Sequence, residues 1–369
     1  MNMLLVALAL LLTFSPAQAQ PADTRPFYLG FTPFPYEVSL DAVRYTYARI
    51  ASDADLIVHH FDNGVPWTEA LAQTAYSDHV LDDWSFRRSL TPDTHQVMVT
   101  VTPIRLLRDG LALYRGSADD QPLPAPFDSY TFDHPDVIAA FIHYCDTIID
   151  YFDPDYFLFG IEVNLLMKNA PDQWAAYMTL HRQVYAHLKA AYPDLPAFVS
   201  LTGIDLVEGY TDADHAAQAQ ALSDVLDYTD ILGLSVYPYF TRYMTEAIPT
   251  ALFDELAALT DKPLAVTETG YPAQDFRVDA GGGAFLNFAS DQQKQADWAR
   301  YLLESAAEHD LELVVNFIVR DYDALWRQIG ALEDMSILWR DTGLYDEDGT
   351  ARAALDVWRA WLALPRRRP

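Results

Sequence analysis

Apolar residues occur in this chain in two alternating arrangements. Short continuous runs lie at Pro26–Thr32, Asp55–Phe61, Gln96–Thr102, Tyr156–Glu162, Ala197–Thr202, Asp230–Tyr237, Leu264–Glu268 and Leu313–Ile318. Runs without alternation fit parallel strands buried on both faces. Between them the apolar positions recur at helical spacing, as with Ala42, Tyr45, Tyr47 and Ile50 in Ser39–Ala51. Further helical segments are expected at Trp67–Trp84, Pro135–Phe152, Pro171–Tyr192, Asp212–Leu226, Pro249–Leu259, Asp291–Glu308 and Ala351–Leu362. Each strand is followed by helical sequence, and the length suits one α/β domain, a single (β/α)8 TIM barrel over residues 20–365. A doubly wound open sheet is the rival topology. It is disfavoured because chemistry-bearing residues stand at the ends of many strands and not at one switch point.

The first residues belong to a different pattern. Met3–Phe14 is apolar and uncharged, and Ala17-Gln18-Ala19 has the small-x-small form of a processing site. Residues 1–19 therefore read as a signal peptide, which predicts a secreted or periplasmic protein. The remainder has no run long and apolar enough to span a bilayer, so no membrane association is expected after processing. Residues 366–369 read as a disordered tail. The single cysteine, Cys145, excludes an intramolecular disulfide and leaves stability to the core. With 24 Lys and Arg against 53 Asp and Glu, the net charge is −29. A field of that sign excludes nucleic acid as a natural partner and disfavours polyanionic substrates. A monomer acting on neutral carbohydrate is expected.

Two strands end in acid. Leu264–Glu268 delivers Glu268 to a point where Gly270 and Pro272 stop the strand, and Tyr156–Glu162 does the same with Glu162. A carboxylate in such apolar company is costly unless paired or functional. In a barrel both would line one mouth, where two carboxyl groups suit glycoside hydrolysis. One protonates the leaving oxygen while the other attacks the anomeric carbon or activates water. Trp67, Tyr237, Tyr239, Tyr271 and Trp326 follow strands and are candidate stacking platforms for sugar rings. His59 and His60 follow the apolar residues of the second strand and could reach the mouth, as could Asp62, Asn63 and Arg105. No His-Glu-x-x-His spacing is present, so neither a metal nor another cofactor is expected. The run Gly281-Gly282-Gly283 reads as a flap over the cleft, and Asp346–Asp348 as a turn.

The segment Thr267-Glu268-Thr269-Gly270-Tyr271-Pro272 resembles the nucleophile segment of retaining (β/α)8 glycosidases of clan A. With Ile231–Tyr239 it is most similar to glycoside hydrolase family 53, the endo-β-1,4-galactanases, and Gly343–Leu355 looks like the last loop and helix of such enzymes. The resemblance implies Glu268 as nucleophile, Glu162 as acid/base, and Tyr237 as the residue holding the nucleophile. It departs at Ile161, where the clan places the Asn that binds the sugar 2-hydroxyl. Asn164, two residues beyond Glu162, is the candidate to replace that contact. The expected activity is retaining hydrolysis of a β-linked neutral poly- or oligosaccharide. A non-catalytic carbohydrate-binding barrel and a transglycosylase using the same carboxylates are the alternatives.

Overall fold

The computed structural model describes residues 23–241, 247–281, 284–329 and 337–367. Among the described residues ten strands run in order: β1 (Tyr28–Phe31), β2 (Leu56–Phe61), β3 (Gln96–Val101), β4 (Tyr156–Leu158), β5 (Ala197–Thr202), β6 (Leu232–Val236), β7 (Leu264–Thr269), β8 (Phe276–Gly281), β9 (Ala284–Phe288) and β10 (Leu313–Asn316). Eight of them close a parallel barrel in the order β1-β10-β7-β6-β5-β4-β3-β2, so the fold is a single (β/α)8 TIM barrel. The signal-peptide segment, residues 1–19, lies outside the described residues. No described helix is long and apolar enough to cross a membrane.

Alternation along the strands divides the core into two layers. Leu56, Val58, Met98, Tyr156, Leu158, Phe198, Ala265, Leu313 and Val315 point inward and fill the barrel. Their neighbours Ile57, Val99, Phe157, Val199, Val266 and Val314 point outward, against the helices. Helix 135–152 carries Pro at its first position and ends where Asp153 turns left-handed, at φ 49°. Its face of Val137, Phe141, Tyr144, Cys145 and Ile148 is buried, which makes Cys145 a small core residue.

Three local features were not expected. β4 stops at Leu158, and a short helix starts at Asn164. The expected Trp67–Trp84 segment is two helices, 67–72 and 78–90, separated by a left-handed Gln73. After β7, in the segment read as a flap, the chain forms the antiparallel hairpin β8–β9; residues 282 and 283 of the glycine run lie outside the described residues. The tail is also held further than expected. Arg366 bridges Arg25, the Arg367 N–H donates to the Arg25 carbonyl, and the Arg366 guanidinium lies 3.7 Å from the Tyr28 ring centre.

Candidate active site

The carboxyl ends of the barrel strands place Glu162 and Glu268 in one mouth, each on a local break in the strand pattern. The Ser200 N–H donates to the Gly160 carbonyl, and the Ser200 carbonyl accepts from the Val163 N–H. A regular parallel ladder would close that pair of bonds two residues apart, so one extra residue is inserted at Ile161-Glu162. Glu162 takes it up with φ 49°, the left-handed region that a non-glycine residue seldom enters. Its N–H is fixed by the Ser200 hydroxyl at 3.0 Å. The second break is in β7. Val314 pairs with Val266 and Asn316 with Thr269, while on the other side Leu234 pairs with Val266 and Ser235 with Glu268. Both neighbours step over one residue, which places a bulge at Thr267-Glu268. Ala265 already points inward, so plain alternation would send Glu268 outward, and the bulge turns it to the mouth.

The two carboxyl groups have different company. Tyr237, at the end of β6, donates to Glu268 Oε1 at 2.6 Å. Glu162 Oε2 lies 3.3 Å from Arg108 Nη2, and Thr202 donates to Glu162 Oε1 at 3.4 Å. Arg108 also holds Asp62 with both terminal nitrogens, at 3.1 and 2.7 Å. Buried in the loop after β3, at φ 53°, Arg108 has its guanidinium held firmly protonated by the charges of Asp62 and Glu162. Glu268 has its acidity weakened first by burial and then by the charge of Glu162. Tyr237 and Arg108 oppose that shift, and the outcome is a carboxyl pushed up to about 8. Burial, aided by Arg108, lowers His60 to about 3 and keeps it neutral beside this cluster.

The sequence-predicted residues separate into two groups. Glu162, Glu268 and Tyr237 come together, with Asp62 and His60 beside them. Asn164 does not join them. Its alternation with Glu162 is cut by the helix that begins there, and its buried amide exchanges hydrogen bonds with Gln218 and Thr202. Trp67 is corrected from platform to core, since it is fully buried, donates to the Ala112 carbonyl and stacks on Phe127. Tyr239 and Tyr271 are likewise covered. Tyr239 donates to the Leu338 carbonyl, and both rings pack against Phe288 beneath the β8–β9 hairpin. Their buried hydroxyl-bearing rings form the floor on which the hairpin rests. Trp326 is half-buried with the Arg340 guanidinium 5.2 Å above its ring. Arg105 pairs with Asp109, not with a site carboxylate. His59 points outward, packs against the Phe152 ring and contacts the Thr91 hydroxyl. Ile161 packs with Leu158 and Val315 in the barrel interior.

Arg108 and Trp339 are the residues that sequence reasoning missed. Trp339 is half-buried and meets Tyr237 edge-on at 6.1 Å. Its signal in the sequence was only a second Trp in the loop after the last barrel strand. Phe34 and Phe317 flank His60 across the mouth, with ring centres 5.8 and 6.3 Å from it. Among the described residues Asp321, Asp323 and Asp341 bring three carboxylates close enough to share a cation. Arg352 pairs with Asp321, and Arg340 with both Asp341 and Asp323.

Solved structures with the same architecture include a GH5_18 protein from Streptomyces cattleya in complex with GlcNAc, at TM-score 0.62 and 15% identity, covering 94% of this chain and 83% of that one. The GH53 catalytic domain of Ignisphaera aggregans matches at TM-score 0.54 and 16% identity over 88% of each chain. A GH10 structure from Paenibacillus barcinonensis matches at TM-score 0.58 and 16% identity, covering 94% of this chain and 97% of that one. These neighbours are clan A glycoside hydrolases. At such identities the likeness is one of fold, and GH53 stands as one neighbour among several. No family model matches the chain, and no curated protein matches it.

Proposed function

We propose that the protein is an exported retaining glycoside hydrolase acting on a β-linked neutral poly- or oligosaccharide. The observation that carries this reading is the pair Glu162 and Glu268 in one barrel mouth, with the Tyr237 phenol on Glu268 at 2.6 Å. As a carboxylate, Glu268 would attack the anomeric carbon while Glu162 delivers a proton to the leaving oxygen. Glu162 would then take a proton from water as that water cleaves the glycosyl-enzyme bond. Tyr237 keeps one oxygen of Glu268 engaged and leaves the other free to attack. Trp339, Phe34 and Phe317 would offer apolar ring surfaces to the sugar. The apolar run and small-x-small site before Gln20 support export.

The test is to make Glu268→Gln and Glu162→Gln separately and assay a panel of β-glycans and aryl β-glycosides, following product stereochemistry by proton NMR. Glu268→Gln should abolish turnover, and Glu162→Gln should lose about 10²–10⁴-fold on substrates with poor leaving groups. Unchanged hydrolysis in either variant defeats the assignment. Ile161, buried in the barrel where the clan places an Asn, favours a second reading, a barrel that binds glycan without turnover. Saturable glycan binding with no product after long incubation would select it.

A further inference from the structure

The mouth holds more charge than a two-carboxylate reaction requires, and its arrangement is uneven. Three acids, Asp62, Glu162 and Glu268, surround one buried cation, Arg108. That cation is not shared equally. Both terminal nitrogens bond Asp62, and Nη2 also reaches Glu162, whereas the partner bonded to Glu268 is the neutral Tyr237 phenol. Every element around Glu162 supports the same division. β2 offers His60, kept neutral, and beyond it Asp62; the loop after β3 offers Arg108. From β5 come the Ser200 and Thr202 hydroxyls, from β6 Tyr237 and from β7 Glu268. Arg108 is the only charged donor in that circle of named groups, and it touches Glu162.

This arrangement conflicts with the simplest form of the proposed reaction, in which the acid is protonated and the nucleophile charged before sugar arrives. A cation within about 4–6 Å stabilises a carboxylate by its charge, and Glu162 has that cation in contact where Glu268 has a neutral phenol. We propose that Arg108, anchored by Asp62, is the positioning residue that holds Glu162 as the charged member of the pair in the unliganded site, so that Glu162 receives its proton from Glu268 when sugar enters. The step is balanced. The Glu268 O–H bond breaks, the Glu162 O–H bond forms, and Glu268 is left as the carboxylate that attacks, with no change in total charge. A bound sugar drives the exchange, because an anomeric carbon gaining positive character favours a carboxylate at Glu268, and a glycosidic oxygen favours an acid at Glu162. The inference rests on the glycosidase reading for its purpose, but the asymmetry it describes exists without substrate.

The experiment therefore reads Glu162 directly. Carboxyl carbon-13 NMR titration of protein labelled at Glu, in a Glu268→Gln background, isolates Glu162 from its coupled partner. Adding Arg108→Met should raise the Glu162 midpoint by about one pH unit or more. Arg108→Lys should restore most of the original value, which loss of a purely structural side chain would not allow. Asp62→Asn, which leaves the guanidinium wholly to Glu162, should move the midpoint the opposite way. An unmoved midpoint in Arg108→Met overturns the inference. Should that variant fail to fold, Asp62→Asn decides, and a midpoint that stays or rises overturns it. A chain that hydrolyses nothing yet shows these opposed shifts retains the inference and loses the glycosidase reading. Normal hydrolysis with unmoved titration does the reverse.

Discussion

At the scale of single residues, the chemistry legible in the sequence was the chemistry written by strand ends. Glu162, Glu268 and Tyr237 were found because an acid or a phenol closing an apolar run has few inexpensive structural uses. Arg108 was not found because it lies inside a loop, after the exposed Leu106 and Leu107, and no periodicity marks a loop residue that folds inward. Trp67, Tyr239 and Tyr271 were misplaced for the opposite reason. An aromatic ring next to a strand end suits a sugar and suits a core equally well, and only packing distinguishes the two. One consequence of the Glu268 environment is a pH dependence of stability. The folded protein keeps a proton there at pH values where the unfolded chain has released it. Stability from this group is therefore complete below the ordinary Glu range and declines as pH rises toward about 8. Melting temperatures of the wild type should fall relative to Glu268→Gln between pH 5 and about 8, and parallel curves would refute the shifted proton.

At the scale of elements, the eight barrel strands were legible, and so were most helices, but the β8–β9 hairpin was not. Helix 135–152 was read to its last residue, because Pro at its start and an apolar face along it are both local signals. The bulges were not legible. They arise from the pairing of β4 and β7 with their neighbours, and pairing is absent from a single run of sequence. In β7 the extra residue turns Glu268 to the mouth, and in the β4 segment it leaves Glu162 in the left-handed region. The β4 bulge carries a cost that can be measured. A left-handed conformation costs an ordinary L-residue about 1–2 kcal/mol, while Asn tolerates it. Glu162→Asn should therefore be more stable than Glu162→Gln by up to about 1 kcal/mol in denaturant unfolding. Equal stability would mean that the bulge is not strained.

At the scale of the whole molecule, closure depends on distant parts of the chain meeting. β1 pairs with β10 as well as with β2, and Arg25 holds Asp55 while its N–H donates to the Pro365 carbonyl. Beneath that seam buried Asp53, at the end of the first helix, accepts from Tyr345 at 2.6 Å and from Arg359 at 2.7 Å, tying the opening and closing helices together. The contacts of β1 with β10, of Arg25 with Pro365 and of Asp53 with Tyr345 and Arg359 were not legible locally, since each joins the two ends of the chain. The net charge of −29, in contrast, was legible from composition and speaks only to what the surface repels. Because Arg25 and Arg366 are bridged neighbours, the order in which the strands are synthesised is separable from the barrel they make. A circular permutant joining those two positions and opening between exposed Asp93 and Thr94, at the end of the barrel away from the mouth, should fold with a native circular-dichroism spectrum. It should also keep the Glu162 and Glu268 titration unchanged. The site would then be a property of the closed ring, indifferent to where the polypeptide starts.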